Sequence, residues 1–144
     1  MNRQHATVTV DAPAKLTLTL RITGVRGDGY HTIDAEMVSL AWHDTLTITS
    51  RPPGSTPRLT ASGPFAVGMP LDESNLVAKA LRFADRCADI HLDKQIPHGG
   101  GLGGGSADAA AVLRWAGYTD IVAAASLGAD VFEAVADVDK IFRC

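Results

Sequence analysis

Ile96-Pro97-His98-Gly99-Gly100-Gly101-Leu102-Gly103-Gly104-Gly105-Ser106-Ala107-Asp108 lies between a short alternating stretch, Ile90-His91-Leu92-Asp93, and an alanine-rich run that reads as a helix over Ser106 to Trp115. Glycines in such a place let consecutive backbone N–H groups converge on an anion without interference from Cβ atoms. The helix that follows adds the partial positive charge of its unsatisfied first turn, about half an elementary charge. That is the chemistry of a phosphate cradle. Ser106 brings a hydroxyl to the helix start, able to cap the helix or to contact a phosphate or a phosphate-bound metal. A flexible glycine linker is the competing reading. A linker, however, needs neither a strand directly before it nor a helix former directly after it, nor one Leu102 in its middle to anchor it to a core. A Walker A loop is excluded because no Gly-Lys-Ser/Thr follows, and a Gly-x-Gly-x-x-Gly match is uninformative where almost every position is glycine.

Working outward toward the amino terminus, apolar residues alternate with threonine from Ala6 to Val10 and again from Leu16 to Ile22, the period-two pattern of half-buried strands. Two strands of one sheet are expected. Gly24, Gly27 and Asp28-Gly29 form a turn that leads to a third strand from about Ile33 to Leu40, and Leu46 and Ile48 mark a fourth. Arg51-Pro52-Pro53-Gly54 ends it, since two prolines remove ladder donors. From Arg58 to Met69 only Leu59 and Phe65 to Val67 offer short strand pieces. Asp72-Glu73-Ser74-Asn75 then supplies capping oxygens for a helix running to about Ala88. Beyond the alanine-rich helix, Ile121 to Ser126 reads as part of a third helix, and Val131, Val135 and Val138 extend a helical spacing. Strands first and helices after them make the class α+β.

The bulk numbers agree with one domain. A chain of 144 residues, 46% apolar and 20% charged, can bury a single core. Its net charge of −3 offers no general attraction to nucleic acid or anionic lipid. Cys87 and Cys144 form no CxxC pair and read as reduced thiols, one buried and one terminal. The first residues lack the apolar core of a signal peptide, and no apolar run approaches the roughly 18 residues of a membrane span. A soluble, cytoplasmic protein is expected, with no nucleic-acid or membrane partner. His43, His91 and His98 have no metal-ligand spacing, so no protein metal site is expected.

Three shorter stretches are ambiguous taken singly. Lys15, within Asp11-Ala12-Pro13-Ala14-Lys15-Leu16-Thr17-Leu18, reads on its own as an outward-facing strand lysine. Tyr30, at the end of Gly24-Val25-Arg26-Gly27-Asp28-Gly29-Tyr30-His31, could be an aromatic packed against a turn. Asp130, in Ser126-Leu127-Gly128-Ala129-Asp130-Val131, could cap a helix.

Together these stretches resemble the GHMP superfamily of small-molecule kinases. The glycine loop is similar to its second motif, in the form used by members that act on a cytidine diphosphate sugar-alcohol. The resemblance implies the fold of ribosomal protein S5 domain 2, covering residues 1–131, with residues 132–144 unassigned and the second domain of the family absent or incomplete. It implies that Pro97, His98, Gly99, Gly100, Gly101, Leu102, Gly103, Gly104, Gly105, Ser106 and Ala107 wrap the phosphates of ATP, bridged by Mg²⁺. Lys15 matches the lysine of the first motif, Ala-Pro-Ala-Lys-hydrophobic-Asn-Leu, which faces the reacting hydroxyl. Thr17 replaces that motif's asparagine, a shorter group at a substrate hydrogen bond. The octapeptide ending Tyr30-His31 is similar to the segment that assigns those two residues to the cytosine, by stacking and by edge recognition. Asp130 matches the proposed general base, so the implied reaction is transfer of the ATP γ-phosphoryl group to the 2-hydroxyl of the sugar-alcohol. Phe132 stands where the family has proline, Glu133 to Cys144 matches no motif, and a late Gly-Ser/Thr-Gly motif is missing. Either the chain is a truncated form or stretches of a longer one are absent from it; alone it is expected to be inactive or very weak. Competing readings are another GHMP enzyme, such as homoserine or mevalonate kinase, and a non-catalytic fragment that binds nucleotide or a partner.

Overall fold

A computed structural model describes residues 6–118, Ile121–Ala123 and Phe132–Ala134. Its elements run β1 (Thr7–Val25), β2 (His31–Ser50), β3 (Leu59–Ser62), α1 (Leu76–Phe83), β4 (Ala88–Asp93), α2 (Gly104–Trp115), β5 (Ile121–Ala123) and β6 (Phe132–Ala134). The first four strands form one sheet in the order β1-β2-β4-β3, in which β3 and β4 are parallel and the other pairs antiparallel. Alternation places Leu46, Ile48, Ile90 and Leu92 on one face, where Val77, Ala80 and Leu81 of α1 and Ala109, Val112 and Leu113 of α2 cover them. Thr47 and His91 lie on the opposite face. The result is two layers, helices on sheet, enclosing one core.

The hairpin β1–β2 differs from the four separate strands read from the sequence. Ala6 to Val10 and Leu16 to Ile22 belong to one strand, as do Ile33 to Leu40 and Leu46 with Ile48. The lost alternation around Pro13 reflects a register shift between Pro13 and Lys15, one of three along the pair, and not a strand end. Proline is tolerated there because β1 is an edge strand. Between Leu40 and Leu46 the sequence has neither glycine nor proline, and the strand continues. The turn at Gly24 to Gly29 closes as expected: Gly29 takes φ 85° and the Arg26 and Gly29 amides donate to Tyr30 O and Arg26 O.

Other elements are shorter than their sequence patterns. Asn75 caps α1, its side chain accepting from the Val77 amide at 2.8 Å. The helix stops at Phe83 and not near Ala88, because Asp85 turns left-handed (φ 50°) and the Arg86 amide folds back onto Leu81 O. Cys87 consequently leaves the helix and is only half-buried. Phe65 to Val67 forms turns closed by the bonds Ala66 N to Gly63 O and Met69 N to Ala66 O, not a strand piece. Ile121–Ala123 is a strand paired antiparallel with Phe132–Ala134 where a helix was expected; the β-branched Ile121 and Val122 outweigh the alanines that follow. Val131, Val135, Val138 and Cys144 lie outside the described residues. Among the described residues no helix is long and apolar enough to cross a membrane.

Candidate active site at the glycine loop

The loop leaves the sheet after β4 and re-enters the fold as α2. Gly99, Gly101 and Gly103 adopt φ of 69°, 72° and 68°. Left-handed residues at alternate positions turn successive N–H groups toward one concave side, the arrangement of an anion nest, and L side chains resist it. Gly103 is the N-cap of α2, and no side chain caps that helix, so Ser106 stands within the first turn and does not act as its cap. The first-turn donors and the positive end of the helix dipole are left for a ligand. A groove of about 280 Å³ follows, lined by residues 97–106 with Leu76 and Lys94. A larger cavity of about 530 Å³ beside α1, lined by Arg58, Leu71 and Leu81 among others, contains none of the sequence-predicted site residues.

Lys15 meets this loop. Its backbone N–H donates to Leu102 O at 2.9 Å, and its side chain lies so close to Gly103 that a Cβ there would come within 3.0 Å of its Cγ and Cε. Its Nζ reaches Thr17 Oγ1 at 3.5 Å. The bulge between Pro13 and Lys15 thus turns the lysine onto the loop instead of leaving it as a surface strand residue. Tyr30 and His31 are not brought to the loop: they sit at the tip of the hairpin, His31 eight residues along β2 from Ser39, the partner of Lys15, a path of roughly 26 Å. Asp28 organises that tip, paired with Arg26 at 2.7 Å and accepting from the Tyr30 amide at 3.2 Å. Asp130 lies outside the described residues.

Beneath the loop is a group of charges that sequence reading missed. Lys94 Nζ lies 2.5 Å from Asp44 Oδ2 and 2.9 Å from Asp108 Oδ2, and all three side chains are at most 2% exposed. Asp44 Oδ1 accepts from the amides of Gln95 (2.6 Å) and Ile96 (2.8 Å). Asp108 Oδ1 has no partner among the described residues. Burial pushes the Asp108 carboxyl up to about 7; Lys94 opposes the rise and Asp44 adds to it. Asp108 stands among alanines, but Asp44 lies between His43 and Thr45 and Lys94 between Asp93 and Gln95, so no sequence signal says that the three converge across 50 and 14 residues. His91 faces solvent, bonded to Thr60 and Ser62 at 2.9 Å each, and among the described residues no three His, Cys, Asp or Glu side chains are grouped to hold a metal.

Comparison with known proteins now bears on this geometry. Residues 75–120, which include α1, β4, the loop and α2, match the family of GHMP kinases N terminal domain. The chain is 50% identical over 103 residues to 4-diphosphocytidyl-2-C-methyl-D-erythritol kinase of Paracoccus denitrificans, covering 72% of this chain and 36% of that protein. It is 41% identical over 139 residues to the protein of the same name from Chlorobium luteolum, covering 86% of this chain and 46% of that one. A crystal structure of 4-(cytidine 5'-diphospho)-2C-methyl-D-erythritol kinase superposes with a TM-score of 0.56 at 35% identity, over 75% of this chain and 39% of the other. The chain therefore spans less than half the length of these relatives. The strands-then-helices reading, the loop between β4 and α2 and these likenesses agree: the chain belongs to the GHMP kinase superfamily, and what it matches is the amino-terminal part of its 4-diphosphocytidyl-2-C-methyl-D-erythritol kinases.

Proposed function

We propose that this chain is the nucleotide-binding part of a kinase that transfers the γ-phosphoryl group of ATP to the 2-hydroxyl of 4-diphosphocytidyl-2-C-methyl-D-erythritol, a step toward isoprenoid precursors. The observation that carries the proposal is Lys15 lying against Gly103, which sets a cation beside a loop of amide donors. Residues 97–107 hold the phosphates, a fit supported by the open first turn of α2 and by the left-handed backbone at Gly99, Gly101 and Gly103. Mg²⁺ would arrive on the phosphates, where it would neutralise their charge. The hydroxyl oxygen bonds to the γ-phosphorus as the bond to the bridging oxygen of ADP breaks, and Asp130 takes the hydroxyl proton while Lys15 steadies the oxygen. Tyr30 and His31 take the cytosine. That role comes from the likeness of Gly24 to His31 to the family's segment and not from the distance, which exceeds the length of one extended substrate.

A second reading rests on the loop alone: residues 97–107 bind nucleotide without turnover, since in-line transfer also needs the acceptor held beside the phosphate. ATP-dependent phosphorylation of the substrate, measured beside Asp130→Asn and with calorimetric binding of ADP and CDP, separates the two. Turnover that falls by about 10²-fold or more in the variant supports the kinase and its base. Binding of both nucleotides without turnover supports the second reading, and binding of neither overturns both.

A further inference from the structure

The buried charges under the loop play no part in the transfer proposed above. Lys94 lines the groove but is almost fully buried, its ammonium held by both carboxylates. What it does reach is the loop's two ends. Gln95 and Ile96, the last residues before Pro97, donate their amides to Asp44, which stands on β2. Asp108, on the second turn of α2, holds the same ammonium from the other side. Gly104, the first residue of α2, packs directly on the pair: a Cβ there would come within 2.9 Å of Lys94 Nζ and of Ile96 Cγ2. Entry and exit of the loop are thus tied to one cation and, through Asp44, to the sheet.

An apolar trio of similar volume would stabilise a core as well or better than buried ions, which repay their desolvation only when geometry is good. Ions give direction, and a nest of amides needs direction: glycines alone leave the loop free to sample conformations in which its N–H groups diverge. We propose that Lys94, with Asp44 and Asp108, is a positioning residue that fixes the spacing and angle between the two ends of the glycine loop, so that its amides are aligned before a phosphate arrives. This rests on the reading of the loop as a phosphate cradle.

The test uses the full chain and two readouts: hydrogen exchange of the amides of residues 99–105, with those of β4 and α1 as internal reference, and calorimetric ADP affinity. Lys94→Met/Asp108→Leu removes the ammonium and its partner on α2 while leaving Asp44 its two backbone donors. Asp108→Asn keeps an acceptor of nearly the same shape. Expected are loop exchange faster by about tenfold or more in the double variant, with β4 and α1 unchanged. ADP affinity falls by about tenfold, and both quantities stay within about twofold of the parent in Asp108→Asn. Unchanged loop exchange, or an equal loss of protection in loop, β4 and α1, overturns the proposal, the second because it shows a merely structural role. If the double variant does not fold, Gly104→Ala presses the exit against Lys94 Nζ and Ile96 while keeping all three charged side chains; faster loop exchange then supports the proposal and unchanged exchange overturns it. A parent chain that binds no ADP but shows the same local exchange pattern overturns the cradle reading and leaves the positioning of the loop standing.

Discussion

The two halves of the β1–β2 hairpin are written in the same alternating code of apolar residues and threonine, yet they meet opposite fates. In the half that includes Ala12, Leu46 and Ile48, those side chains are completely buried under α1 and α2. In the other half Leu20 and Ile22 are 61% and 62% exposed, and the strands pair only with each other. Alternation announces a strand; it does not announce the layer that covers it. Burial is decided by what lies opposite, and here β4 pairs with Thr45–Ser50 at one end of β2.

That contrast can be broken most forcefully at its base. Lys94→Met leaves the buried Asp44 carboxylate without its cation and Asp108 without its partner, and should cost about 3–5 kcal/mol, measured by urea unfolding. The same region should make stability depend on pH. Asp108 keeps its proton in the folded state up to about pH 7, whereas the unfolded chain releases it near 3.8, so between these values the folded state binds more protons. Stability contributed by this group is therefore full below about pH 4, falls as pH rises and levels above 7, by at most about 4 kcal/mol. Unfolding series at several pH values should show this decline in the parent and its loss in Asp108→Asn. At the loop, Gly103→Ala meets both a left-handed backbone (φ 68°) and the Lys15 side chain, and should cost about 1–2 kcal/mol and weaken ADP binding. On the arm, Ile22→Thr should change stability by no more than about 0.5 kcal/mol, because nothing packs over it. A large loss there would mean that the exposed half is covered in solution and would erase the comparison.

Much of this was legible beforehand, for reasons that differ by residue. The glycine loop announced itself because backbone freedom is written directly in composition, and the Asn75 cap and the Asp28-Gly29 turn because their chemistry is local. The fused strands were not legible, since a bulge at Pro13 and a strand end disturb alternation alike. The early stop of α1 was hidden because Asp85 carries no glycine to mark a left-handed turn. Lys94, Asp44 and Asp108 were out of reach for a different reason: their meaning is a distance, and distances between residues far apart in sequence are products of the whole fold. Lys15 lies between, recognisable by its motif but aimed at the loop by a bulge that only the structure displays.

The outer edge of β1 has one more consequence. Along 19 residues its outward-facing N–H and C=O groups face no neighbouring strand among those described, and the arm beside them exposes Leu16, Leu18, Leu20, Ile22 and Val25. A long apolar edge is a template on which another polypeptide can add itself as a further strand, the first step toward fibrils and precipitates. The three register shifts between Pro13 and Gly24 twist and interrupt that template, and Pro13 removes one of its donors. The irregularities that obscured the strand in the sequence thus also work against strand addition by further copies.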